Sequence, residues 1–171
     1  MSFLINPYRY AVASEEFCNN LYDDDQSLSG TTGSKRAGQQ WNTGSDLINK
    51  TLATVKVPLR YDVELADDSD ELYARVYASD NSLKATVGTI QNSALSTSWA
   101  TITFSGGTPT LIESGDYVVI EISSEIEASE QITRHRYYYT SNPFTNTSFS
   151  YYRDDAWTSN SGHCMTYCVE T

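Results

Sequence analysis

The residues with the richest chemistry form one short run, SGHCMTYC, from Ser161 to Cys168. Two thiols four residues apart, with an imidazole beside the first, are groups that hold zinc, close a disulfide or share a proton in hydrolysis. Spacing decides among these. In a strand, Cys164, Thr166 and Cys168 share one face, and Met165, Tyr167 and Val169 share the other. At ~3.3 Å per residue the two thiols stand ~13 Å apart. That is past the ~7 Å Cα limit of a disulfide and past what one tetrahedral zinc bridges. Only a helix would join them, and the β-branched and aromatic neighbours oppose one. The run therefore reads as a closing strand whose cysteines are buried as small apolar groups. The chain has 3 cysteines, an odd number that argues against a disulfide framework and fits synthesis in a reducing compartment.

Elsewhere reactive patterns are scarce. His135 lies between Arg134 and Arg136 in a predicted strand, a solvent or interface position. The sequence holds no G-x-S-x-G elbow, no H-E-x-x-H pair and no G-x-x-x-x-G-K-[ST] loop. Glycoside cleavage would need two carboxylates held ~5 Å or ~6.5–9.5 Å apart, a pairing that linear spacing does not encode in a sandwich. The expectation is a protein with no catalytic residues and no cofactor. A structural calcium is the one ion the acidic turns could take, since calcium is held by about six to eight oxygens. Its candidate ligands are Asp67, Asp68 and Asp70 in DDSDE. That run lacks the spaced glycine and terminal glutamate of a helical calcium loop, and a solvated turn is its ordinary reading, as it is for Asp23–Asp25 and Asp154–Asp155.

The aromatics offer binding chemistry. Trp41, Tyr152 and Trp157 are the candidates for a glycan-stacking platform, with Trp99, Tyr151 and Tyr137–Tyr139 nearby in kind. Sugar recognition pairs an apolar ring face with oriented polar groups. The same side chains suit a sandwich core or a subunit contact equally well.

Strands must position these residues. The 171 residues are 39% apolar and 19% charged, with 13 Tyr, as in one globular domain rich in strand formers. LATVKVPLRYDVEL puts Ala53, Val55, Val57, Leu59, Tyr61, Val63 and Leu65 on one face, with Pro58 marking an edge or a bulge. ELYARVYAS opposes Leu72, Ala74 and Val76 to Tyr73, Arg75 and Tyr77. SDNSL reads as the turn into KATVGTI. SWATITFSG alternates in the same way, and DYVVIEISS sets Val118, Ile120 and Ile122 against Tyr117, Val119 and Glu121. EIEASEQI reads as a loop into RHRYYYT, and TSFSYYRD and GHCMTYCVE complete the set. Turn signals about every 8–15 residues predict an antiparallel sandwich. Residues 1–28 lack clean alternation and read as an N-terminal arm or irregular first strand, with the sandwich over 29–171.

A formal charge of −11 repels nucleic acid and anionic lipid, which need a basic stripe. No run approaches ~18 consecutive apolar residues, so no membrane insertion is expected. MSFLINPYRYAVASEEF lacks the basic start and apolar core of a secretory signal. Cytoplasmic synthesis without a signal peptide is the expectation.

Four segments in order, AGQQWNTGSDLINKTLATVKVPLRY, LYARVYASDNSLKATVGTI, LSTSWATITFSGGTPTLIESGDYVVIEI and FSYYRDDAWTS, resemble a group of jelly-roll β-sandwich domains. These occur in small virion structural proteins of tailed phages and archaeal viruses, and in carbohydrate-binding-like modules. The resemblance covers about residues 37–171, on strand and turn residues rather than ligands. It implies an all-β antiparallel jelly roll with a non-catalytic role on a virion surface, as a capsid decoration, spike or tail-associated component made in the host cytoplasm. Its partners would be other virion proteins and further copies of itself, as a homo-oligomer. FLINPYRYA also resembles the opening of small phage structural proteins, which makes Phe3, Leu4, Ile5, Tyr8 and Tyr10 a candidate assembly arm. Such an arm lays apolar side chains on a neighbour, or adds a strand to its own sheet. The alternative is a carbohydrate-binding module or receptor-binding tip recognising cell-surface glycans.

Overall fold

The computed structural model describes residues 14–20, 22, 24–29, 35–61, 71–122, 131–138, 142–153 and 156–171. The arm candidates Phe3, Leu4, Ile5, Tyr8 and Tyr10 and the calcium candidates Asp67, Asp68 and Asp70 lie outside these residues. In chain order the strands begin with β1 (Glu16–Asn19), β2 (Asp24–Ser29), β3 (Arg36–Trp41), β4 (Thr51–Leu52) and β5 (Thr54–Tyr61). They continue with β6 (Glu71–Tyr77), β7 (Leu83–Gln91), β8 (Ala100–Phe104), β9 (Thr110–Leu111) and β10 (Asp116–Ile122). They end with β11 (Gln131–Tyr138), β12 (Thr147–Arg153), β13 (Ala156–Asn160), β14 (Cys164–Met165) and β15 (Tyr167–Glu170). No helix among the described residues is long and apolar enough to cross a membrane.

The protein is an all-β sandwich with antiparallel ladders. One sheet runs β1-β15-β5-β11-β14, with β2 also on β11 and β8 also on β5. The other runs β13-β12-β3-β10-β6-β7, and β4 pairs with β9. Strands distant in sequence are neighbours throughout: β1 lies on β15, and β3 lies between β12 and β10.

Alternation decides what is buried. Val55, Val57 and Leu59 of β5 join Leu72, Ala74 and Val76 of β6 and Val118, Ile120 and Ile122 of β10 in one core. Each of the Val, Leu and Ile side chains stabilises the fold by ~1.5–3 kcal/mol when fully buried. Gln39 is the polar exception on the inner face of β3. Its amide donates to Thr147 Oγ1 at 2.7 Å, and its carbonyl accepts the Met165 N–H at 3.2 Å, which ties β3 to β14 across the two sheets. Pro58 sits where β5 changes partner, after β15 at 54–56 and before β11 at 59–61. A gap in the ladder is a position where a missing N–H is tolerated.

The division read after residue 28 lies within β2, and both β1 and β2 belong to the first sheet. Two expectations change. The closing run is two strands broken at Thr166, the first on β11 and the second between β1 and β5. The expectation of no disulfide is corrected: Cys18 and Cys168 stand opposite each other in the β1–β15 ladder, Cα atoms 4.1 Å apart, and are bonded. Spacing excludes a Cys164–Cys168 pair, but it is silent about a partner 150 residues away.

Candidate functional site

Of the three platform candidates, Trp41 is overturned by its place. It is 0% exposed, its ring lies 5.1 Å from that of Phe144, and its Nε1 donates to the Tyr167 hydroxyl at 3.2 Å. Ala37, Gln39 and Trp41 form the inner face of β3, so alternation carries this indole into the core. Trp157 and Tyr152 instead lie half-buried on the outer face of the second sheet.

Register builds a cluster there. One row crosses the sheet from Trp157 to Tyr152, Arg36, Glu121 and Tyr73, each on its own strand. Glu121 is the centre. Its carboxylate lies 3.2 Å from Arg36 Nε and 3.0 Å from Arg75 Nη1, and it accepts the Tyr77 hydroxyl proton. The Arg36 guanidinium is held between two rings, 4.0 Å from the Tyr77 centroid and 4.4 Å from the Tyr152 centroid. Arg75 covers the Tyr73 ring at 3.7 Å. Cations over ring faces gain from the ring quadrupole, more so when partly desolvated.

Trp157 closes the cluster. Its ring stacks on Tyr117 at 4.1 Å with planes 5° apart, and meets Tyr77 and Tyr152 edge-on. Asn81, in the expected SDNSL turn, gathers the polar tips. Its carbonyl accepts Arg36 Nη1 at 2.8 Å and Trp157 Nε1 at 3.2 Å, and its amide donates to the Tyr152 hydroxyl at 3.3 Å. Asn81 has φ 69°, a left-handed conformation that asparagine tolerates better than most residues. Three strands, β3, β12 and β13, are thus tied to the turn through one side chain.

Burial sets the titration of these groups. Tyr77 is pushed up to about 12 by desolvation, reinforced by the hydrogen bond to Glu121. Desolvation also raises Tyr117. Arg75 loses hydration on burial, yet Glu121 outweighs that and holds its pKa above the ordinary value. The arrangement is a small second core with charges paired inside it. It can pin the β12–β13 hairpin to the sheet and present the outer parts of Tyr152 and Trp157 to a partner.

The opening candidates resolve differently. Cys164 is buried in the core, and desolvation lifts its thiol to about 12, so it is a packed thiol rather than a nucleophile. His163 Nε2 lies 3.2 Å from the Asn160 amide, beside the Phe149 ring. The donor atoms of Glu16, Cys18 and Cys168 lie within 4.8 Å of one another, but sulfurs joined in a disulfide are not thiolate ligands. His135 is in β11, opposite Gln26 and Leu59.

Arg36, Arg75, Tyr77, Asn81, Tyr117 and Glu121 are the members that sequence reasoning passes over as a site. Their signal is present: Tyr73, Arg75 and Tyr77 share one strand face, and Tyr117 and Glu121 another. What is missing is the pairing of β6 with β10 and of β10 with β3. No protein-family model matches the sequence, and no curated protein matches it.

Proposed function

We propose that the protein is a non-catalytic structural component of a virus particle, displayed on the virion surface and acting by protein–protein assembly. The observation that carries this reading is the Cys18–Cys168 disulfide, which joins the first strand to the last. Disulfides persist in oxidising surroundings, virion surfaces among them. A chain folded in a reducing cytoplasm and oxidised after release would carry such a bond. The charge of −11 supports display of many copies, since like charge discourages non-specific association. The outer cluster supports binding over catalysis, because its charged groups are engaged with one another.

The partners of this reading are further copies of the chain and other virion proteins, met through sheet edges such as β13 and through the arm. A receptor-binding tip recognising glycans is the second reading, favoured by the half-exposed rings of Tyr152 and Trp157.

Light scattering coupled to size exclusion tests assembly on the full chain and on a chain beginning at Ser14, which keeps β1 and the disulfide. A stable trimer or larger ring that falls apart without residues 1–13 is expected. A monodisperse monomer in both forms overturns self-assembly through the arm.

A further inference from the structure

Next to the disulfide, the outer face of the first sheet carries a cavity of about 220 Å³. That is below the ~300 Å³ at which sites for drug-sized ligands begin, and it suits a ligand of a single ring. Two apolar ring surfaces line it. Tyr22 is 53% exposed, and Pro58 presents its pyrrolidine from β5. A large aromatic left half in water at the mouth of a polar cavity is the arrangement that stacks on the C–H face of a sugar.

The polar lining is mixed in sense. Asn20 and Thr101 are exposed at the cavity and each offers both a donor and an acceptor. Lys56 donates to Glu16 Oε1 at 3.1 Å and to Glu170 Oε1. An ammonium has three N–H donors, so one remains for a ligand hydroxyl. Hydroxyl groups both donate and accept, and a lining of amide, hydroxyl and ammonium matches them.

Charge narrows the class. Lys56, the charged residue that lines the cavity, is neutralised by two carboxylates, Glu16 and Glu170, within a chain of charge −11. Acidic sugars and phosphates are repelled. The disulfide holds β1, and with it Asn19 and Asn20, against β15, so the oxidised chain presents the complete cavity.

We infer that this cavity binds one neutral sugar residue, with its ring on Tyr22 and its hydroxyls on Asn20, Lys56 and Thr101. It is separate from the outer cluster around Trp157, and from assembly: a monomer in light scattering leaves it standing.

The test titrates the oxidised full chain with methyl glycosides of glucose, galactose, mannose and N-acetylglucosamine, followed by NMR. Methyl glucuronoside serves as the anionic control. Saturable binding of at least one neutral glycoside, in the ~mM range of single-sugar sites, is expected. Tyr22→Ala should weaken it at least about tenfold, equivalent to ~1.4 kcal/mol. Thr101→Arg, which fills the mouth from β8, should abolish it whether or not Tyr22→Ala folds. Leu83→Ala, at an exposed position of β7 in the other sheet, should leave it unchanged. No saturation by any neutral glycoside, tighter binding of the glucuronoside, or binding that survives Thr101→Arg overturns the inference.

Discussion

At Glu121 three partners converge on one carboxylate that is 11% exposed: Arg36, Arg75 and the Tyr77 hydroxyl. Removing one member of a buried charge set costs about 3–5 kcal/mol, mostly because the others lose compensation. The phenol also makes stability depend on pH. An acid whose pKa is higher folded than unfolded stabilises the fold wherever both states stay protonated, and the gain is lost as pH rises through the folded value. For Tyr77 the window runs from the ordinary pKa of ~10 up to about 12. For Cys164 it opens nearer ~8.5 and also ends at about 12. Tyr117 and Tyr167, both raised by burial, act in the same direction. The urea midpoint should therefore fall steadily above pH ~8.5, and Tyr77→Phe should flatten the upper part of that fall. A midpoint unchanged to pH ~11 would contradict the burial of these groups. Of this site, the faces of β6 and β10 are legible in the sequence. The meeting of Arg36 with Glu121 is not, because strand neighbours are set by packing across the whole sheet.

Among the elements, β3 is the one that alternation passes over. Its central inward position is Gln39 rather than an apolar residue, so the period-2 pattern breaks where the strand is most buried. Gly38 faces the other way and lets β3 press against β10. A Cβ there would stand 2.0 Å from the Val118 carbonyl oxygen and 2.6 Å from the Val119 Cα, both backbone atoms. Neither can swing aside as a side chain would. Gly38→Ala should force the strands apart at a cost of about 3 kcal/mol. In a chain of this size that lowers the melting temperature by about 10 °C, measurable by circular dichroism. An unchanged melting temperature would show that β3 and β10 lie further apart than described. Strands β5 and β6, whose inward positions are apolar throughout, and β10, apolar there from Val118 on, follow their sequence pattern closely.

At the scale of the whole molecule, one core joins both sheets, and the Cys18–Cys168 bond closes a loop of 150 residues between the first and last strands. A cross-link of that span stabilises a domain by about 5 kcal/mol if loop entropy alone counts. With a shared core, the sheets have no separate route to unfolding. Urea unfolding of the oxidised chain should be a single transition that overlays by far-UV circular dichroism and by the fluorescence of a Trp157→Phe variant, which reports core Trp41 and half-buried Trp99. Two separated midpoints would mean that the sheets fold independently.

By itself the sequence determined the all-β class, the faces of the regular strands and the acidic surface. Each of these is a local property, carried by alternation over five to nine residues or by a sum of charges. Only the tertiary structure decided that Cys18 meets Cys168, that Trp41 is core while Trp157 caps an outer cluster, and that Tyr22 and Lys56 share a cavity. Antiparallel pairing brings together residues far apart along the chain, and register is settled by many side chains packing at once. No short stretch of sequence contains that information.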